Sequence, residues 1–150
     1  MEEYRIVRLN CENKNEINFI AKIHDFIFSE DKDNYVADYR RIDRTVRDLC
    51  DKAKADRNFC HVAIFNGQIV GYVWIKKLEF GNMKLESLWT LECFRNNGIA
   101  RLLCREATFK AKSSEERFAI VFDKKVSHRL AEKITLGLEV IEREMVSEAI

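Results

Sequence analysis

An α/β domain built on one mixed central sheet is the fold class this sequence predicts, and three observations carry it. Apolar alternation of period two and apolar spacing of period 3.6 take turns along the chain, with no Pro, repeat or low-complexity tract between them. Asn66-Gly67 separates two runs rich in β-branched and aromatic residues, the strongest short hairpin signal. The apolar run Leu85 to Phe94 passes through a glycine-containing turn into an amphipathic helix and then into the continuously apolar Phe118 to Phe122. A helical connection of that kind makes the two strands parallel. The predicted order is β-α-α-β-β-β-α-β-α-β, in a single domain over residues 1–150.

Tyr4 to Leu9 alternates and opens as a strand. Asn13 with Glu16 three residues on reads as an N-terminal capping box for a helix to about Phe28 on Ile17, Ile20, Ala21 and Ile27. His24 lies on that stripe and reads as a packed histidine, since no partner ligand stands at i+4. After the acidic loop Ser29 to Asn34, a second helix runs from about Ala37 to Ala55 on Tyr39, Ile42, Val46, Leu49 and Ala53. Its outer face carries Arg40, Arg44 and Arg47, but Asp43, Asp48 and Asp51 interleave and neutralise it, so it reads as a solvated face. Phe59 to Phe65 and Gln68 to Leu78 form the hairpin arms, and Gly81-Asn82 reverses the chain again. Gly71, alone among the glycines in lying inside a strand, suggests a bulge. Phe118 to Phe122 reads as a central strand covered on both faces. Ser127 caps a short last helix on Leu130, Ala131 and Ile134, Gly137 stops it, and Leu138 to Val146 supplies a final strand.

At 150 residues the chain is long enough to bury a core without staples. Apolar content of 47%, charged content of 34% and a net charge of +1 describe a soluble globular protein and argue against a general nucleic-acid or anionic-membrane binder. No apolar run is long enough to span a membrane, and Met1-Glu2-Glu3-Tyr4 begins with acid where a signal peptide carries base, so the expected location is cytoplasmic. Cys11, Cys50, Cys60, Cys93 and Cys104 are odd in number, widely spaced and without a Cys-x-x-Cys pair. They read as reduced core residues, with no metal site, and Cys93 as the best candidate for a reactive thiol.

The most informative stretch is Arg95-Asn96-Asn97-Gly98-Ile99-Ala100, which follows the apolar run and opens a helix on Ile99, Leu102, Leu103, Ala107 and Ala111. Free backbone N–H groups at a helix N-terminus make an anion site suited to phosphate, and Gly98 lets the backbone come close. The stretch lacks the three glycines of a dinucleotide fingerprint and the Gly-Lys-Ser/Thr of a Walker A loop. Its spelling matches [Gln/Arg]-x-x-Gly-x-[Gly/Ala] and resembles the acyl-CoA signature of the GNAT superfamily of N-acetyltransferases. The element order is similar to that fold across nearly the whole chain, lacking only a clear seventh strand.

The resemblance implies acetyl-CoA as co-substrate, no metal, and transfer of an acetyl group to a primary amine of a small molecule or protein by direct attack on the thioester. In the family the motif strand and its parallel neighbour splay apart and take the pantetheine arm. That implies cofactor contacts from Leu88, Trp89 and Thr90, and a pyrophosphate cradle from Phe94 through Arg101, namely Phe94, Arg95, Asn96, Asn97, Gly98, Ile99, Ala100 and Arg101. Ser127 stands near the family's cofactor-touching asparagine. A lysine-like ammonium must lose its proton at a cost of about 4.6 kcal/mol at pH 7, an α-amine at about 1 kcal/mol. Glu86 fits the place of the family's water-mediated base, with Glu92 second. The family's general acid is a tyrosine on the last helix, and the corresponding residue here is Lys133, with no tyrosine after Tyr72. A thiolate can leave unaided at about 2 kcal/mol at pH 7, so this departure slows the reaction without forbidding it. His61 reads as structural, and His128 opens the last helix near the expected sulfur. The acidic loop with Glu30, Asp31 and Asp33 favours a cationic acceptor, and family habit suggests a homodimer through late strands. The alternative is a non-catalytic acyl-CoA-binding regulatory module, motivated by the missing tyrosine. A toxin-like member acting on charged transfer RNA would need a basic surface that +1 does not supply.

Overall fold

The computed structural model describes residues 4–78, 83–111 and 120–122. Its elements are β1 (Arg5–Arg8), α1 (Lys14–Ile27), α2 (Tyr39–Cys50), β2 (Asn58–Phe65), β3 (Gln68–Lys77), β4 (Met83–Thr90), α3 (Ile99–Ala111) and β5 (Ile120–Phe122). The strands lie side by side in chain order. Neighbours are antiparallel as far as β4, and β4 and β5 are parallel, as the crossover through α3 requires. This is a mixed α/β fold. The turn at Gly81-Asn82, the start of the strand expected from Phe118, the helix capped by Ser127 and the strand from Leu138 lie outside the described residues.

Two apolar layers hold the sheet between helices. On one face Ile17 and Ile20 of α1 and Leu49 of α2 pack with Cys60, Val62, Tyr72 and Trp74. On the other, Ile99, Leu103, Cys104 and Ala107 of α3 pack with Ala63, Val70, Val73, Ile75 and Leu85. Alternate residues of β2 and β3 therefore enter different cores, which is why both strands read as near-continuous apolar runs.

Capping sets the helix ends. Asn13 accepts the Glu16 N–H at 3.3 Å and starts α1. The second helix is shorter than its apolar spacing suggests, because the Asp38 carboxylate accepts the Arg40 and Arg41 N–H groups at 3.0 and 3.3 Å. At the other end Asp51 accepts the Ala53 N–H at 3.0 Å and opens a separate 3₁₀ turn over Lys52–Lys54. Tyr39, expected on the buried stripe, is 68% exposed, and Ile42 and Leu49 carry the contact instead. Leu102 of α3 likewise points outward while Leu103 and Cys104 are buried. Of the cysteines read as core residues, only Cys60 and Cys104 are buried; Cys11 and Cys93 are exposed and Cys50 is half-buried.

Asn66 and Gly67 both take positive φ, 50° and 76°, and close the β2–β3 hairpin between Phe65 and Gln68. Register then slips by one residue: Ala63 faces Gly71 and Ile64 faces Ile69, so Val70 is the extra residue of a bulge. Gly71 has a second reason to lack a side chain. A Cβ there would stand 3.0 Å from the Trp89 carbonyl oxygen and 3.2 and 3.3 Å from side-chain carbons of Leu103 and Ile99. That glycine lets α3 settle on the sheet beside the end of β4.

Candidate active site

The end of β4 combines a bulge with an edge that is open among the described residues. Thr90, Trp89, Leu88 and Ser87 pair with Gly71, Tyr72, Val73 and Trp74 of β3; the register then skips Glu86, and Leu85 faces Ile75. Glu86 is thus the extra residue of a bulge, where a strand bends and re-aims its side chains. Toward β5 the described pairing covers only Met83, Lys84 and Leu85. Among the described residues, Glu86 to Thr90 have no strand partner on that side. Such an edge offers alternating N–H and C=O groups to an extended polar ligand. The splay expected beyond Phe122 falls outside the described residues.

Side chains fix this segment from both layers. The Ser87 hydroxyl donates to the Tyr72 hydroxyl at 2.8 Å, both buried. Leu88 packs into the α3 core, and the Trp89 ring lies 5.8 Å from Phe19 and 6.2 Å from Tyr72. The strand stops at Thr90 rather than running to Phe94, as the apolar run suggested. The Leu91 N–H donates to the Val70 carbonyl at 2.8 Å, and the Phe94 N–H to the Leu91 carbonyl at 2.8 Å, which turns the chain into a 3₁₀ segment over Glu92–Phe94. Phe94 serves as an anchor, its ring 6.2 Å from Tyr4 and 5.4 Å from Phe65.

From that anchor the loop swings into α3. Arg95 Nε donates to the Thr90 carbonyl at 3.0 Å, and Asn97 Nδ2 to the Phe94 carbonyl at 3.3 Å. Asn96 and Gly98 take positive φ, 66° and 77°, and a Cβ on Gly98 would meet nothing within 4 Å among the described residues. The first backbone bond of α3 runs from the Leu102 N–H to the Gly98 carbonyl at 3.1 Å. The Ile99 and Ala100 amides fall before that first intrahelical bond, and the turn that leads to them, Arg95 to Gly98, is exposed. Left-handed residues just before a helix N-terminus help to bring amide hydrogens and the positive helix end to one point. Arg95, Asn96, Asn97, Gly98, Ile99, Ala100 and Arg101 are gathered there, continuous with the Leu88 to Thr90 edge. Lys133 and Ser127 lie outside the described residues.

Charges surround the bulge. The Glu86 carboxylate, largely shielded, lies 3.3 Å from Lys84 Nζ and 3.9 Å from Lys76 Nζ. Lys76 also pairs with Asp48 of α2 and rests 5.0 Å from the centre of the Trp74 ring. His24 of α1 closes the group, its ring 5.2 Å from Trp74 and 4.8 Å from Phe28. Burial lowers its pKa, while the charge of Glu86 opposes that shift. Its Nδ1 is buried with no hydrogen-bond partner among the described residues. His24 was legible as packed but not as unsatisfied, because its neighbours on β3 and β4 lie more than one element away in sequence. Between α1 and α2 a cavity of about 510 Å³ is lined by His24, Asp25, Glu30, Arg41, Arg44 and Thr45. Glu92 and Cys93 stand exposed on the 3₁₀ turn. Among the described residues no cluster of His, Cys, Asp and Glu could hold a metal, and no helix is long and apolar enough to cross a membrane.

The model of the acetyltransferase (GNAT) family matches residues 6–136. The chain belongs to this family. No curated protein sequence matches the chain, whereas solved GNAT structures match its fold at low identity. The aminoglycoside N-acetyltransferase AAC(6')-Iy, solved with a bisubstrate analogue of CoA, is 15% identical over 91% of this chain and 89% of its own, with a TM-score of 0.65. A protein of Clostridium acetobutylicum described as a predicted acetyltransferase, solved with acetyl-CoA, is 17% identical over 89% and 86%, with a TM-score of 0.64. Glucosamine-6-phosphate N-acetyltransferase of Arabidopsis thaliana is 14% identical over 89% and 91%, with a TM-score of 0.58. These likenesses are ones of GNAT fold.

Proposed function

We propose that this chain is an acetyl-CoA-dependent N-acetyltransferase acting on a primary amine of a small molecule or protein. The observation that carries the reading is the strand end and helix start described above: a β4 edge without a strand partner among the described residues, leading through Asn96 and Gly98, both at positive φ, into the amides that open α3. The edge at Leu88, Trp89 and Thr90 suits the amides of a pantetheine arm, and the Phe94 to Arg101 turn suits a pyrophosphate. The solved relatives holding CoA or acetyl-CoA support the same assignment.

Acetyl-CoA supplies the activated acetyl group when bound, and the chain's residues prepare the amine that attacks it. Glu86, re-aimed by the bulge and flanked by Lys84 and Lys76, takes the ammonium proton through water. Ser127 and Lys133 retain the roles that the family resemblance implies, a cofactor contact and a donor to the leaving thiolate.

A second reading rests on the absence of any tyrosine after Tyr72: a non-catalytic module that binds acyl-CoA and regulates a partner. Calorimetry with CoA, paired with thiol release from acetyl-CoA over a panel of polyamines, aminoglycosides and peptides, separates them. Heat of binding with thiol release supports the enzyme. Heat without release from any acceptor selects the module, and no heat rejects both.

A further inference from the structure

At the far ends of the helix pair, the Cys11 thiol donates to the carbonyl of Leu49, the residue before Cys50, at 3.5 Å, and the Cys50 thiol to the carbonyl of Cys11 at 4.0 Å. Both line one cavity of about 610 Å³, shared with Lys14 and Lys52 as well as Glu12 and Asp51, a volume in the range that takes small molecules. We infer that Cys11 and Cys50 form a thiol–disulfide exchange site that takes a low-molecular-weight disulfide of the glutathione type and ends as an internal Cys11–Cys50 bridge.

Access orders the steps. Cys11 is exposed on the turn after β1, whereas Cys50 is half-buried at the end of α2. Burial and the neighbouring Cys11 raise the Cys50 thiol's pKa, and Lys14 works against that rise. Cys11, its proton lost to solvent, attacks one sulfur of the small disulfide; that S–S bond breaks, a mixed disulfide forms, and one thiolate leaves. Cys50, deprotonated in turn, attacks the Cys11 sulfur and expels the second thiolate. Two protein thiols are oxidised and one small disulfide is reduced to two thiols, with no further reactant. Lys14 and Lys52 match the carboxylates of a glutathione-type molecule.

Cys60 is the competing partner, since it shares a smaller cavity with Cys11. It is fully buried on the sheet, and burial pushes its thiol well above the ordinary range, which removes its thiolate. Cys104 packs on the opposite face. The bridge also has a structural consequence. Cys11 occupies the turn in which the Asn13 N–H donates to the Asn10 carbonyl at 3.0 Å, immediately before α1. Joining it to the last residue of α2 ties the start of one helix to the end of the other, across a sequence separation of 39 residues, and restricts the unfolded chain.

The full chain incubated with oxidised glutathione, then digested without reductant and mapped by mass spectrometry, tests this. The expected product contains a cross-linked Cys11–Cys50 peptide two hydrogen atoms lighter than the two reduced peptides, whether or not the exposed Cys93 carries glutathione, melts several degrees higher than the reduced chain and reverts with dithiothreitol. Cys50→Ser should stop at glutathione attached to Cys11, and Cys60→Ser should behave as the unaltered chain. Should Cys50→Ser fail to fold by circular dichroism, the map of the unaltered chain decides alone. A stable glutathione adduct on Cys11 beside a free Cys50 in that chain, a Cys11–Cys60 link, or no modification would overturn the assignment.

Discussion

Gly98 shows how one backbone dihedral controls a site. Its φ of 77° strains any L side chain, most of all a β-branched one, and its open surroundings are the space a ligand phosphate would take. Gly98→Val should weaken CoA binding at least ~100-fold by calorimetry while lowering stability by about 1–3 kcal/mol. Glu86→Gln should leave CoA affinity unchanged and reduce kcat/KM by about 10²–10⁴-fold for a lysine-like acceptor, with a smaller loss for an acceptor whose amine titrates near neutrality. His61 offers a test of stability. It is 2% exposed on β2, and burial, reinforced by Arg8 and Lys110, lowers its pKa to about 4. The unfolded chain therefore binds a proton between about pH 6.5 and 4 that the folded chain refuses. The corresponding stability is complete above pH 6.5 and is lost as the pH falls to about 4, a change of roughly 3 kcal/mol. Urea unfolding across that range should show the slope, and His61→Leu should remove its share.

Between single residues and the whole domain, the α1–α2 connection is held by one carboxylate. Asp25, with a side chain only 3% exposed, accepts from the Tyr35 hydroxyl at 2.6 Å, the Asp38 N–H at 3.3 Å and Arg41 Nε at 2.9 Å. Burial opposes its charge, but the bonds from Arg41 and Tyr35 outweigh that and hold its pKa below the usual range. Asp25→Ala removes the acceptor shared by three donors, leaving the half-exposed Arg41 to water and Asp38, and should cost about 3 kcal/mol in urea unfolding. It should also admit protease cleavage within residues 28–38. The hairpin at Asn66-Gly67 and the cap at Asn13 were legible because turn and cap chemistry is local. Asp25 was not, because its partners come from another helix and the loop before it. The same limit applies to the Glu86 bulge, which exists only as a register between β3 and β4.

For the molecule as a whole, ligand linkage gives the broadest test. CoA at a hundredfold over its dissociation constant should add about 2.7 kcal/mol of stability, a rise of roughly 5–10 °C in Tm for a chain of this length. An unmoved Tm at saturating CoA would contradict the proposed binding site. From sequence alone came the mixed α/β class, the helix and strand succession over the described residues, and the Arg95 to Ala100 turn. Each rests on interactions within a few residues: apolar period, caps and turn dihedrals. Tertiary structure decided which edge of β4 lacks a described partner beyond Leu85, that Tyr39 and Leu102 face outward, that Glu86 is the bulged residue, and that Cys11 meets Cys50. Those features depend on strand register and on how helices seat against a sheet, and such contacts join residues that no local pattern relates.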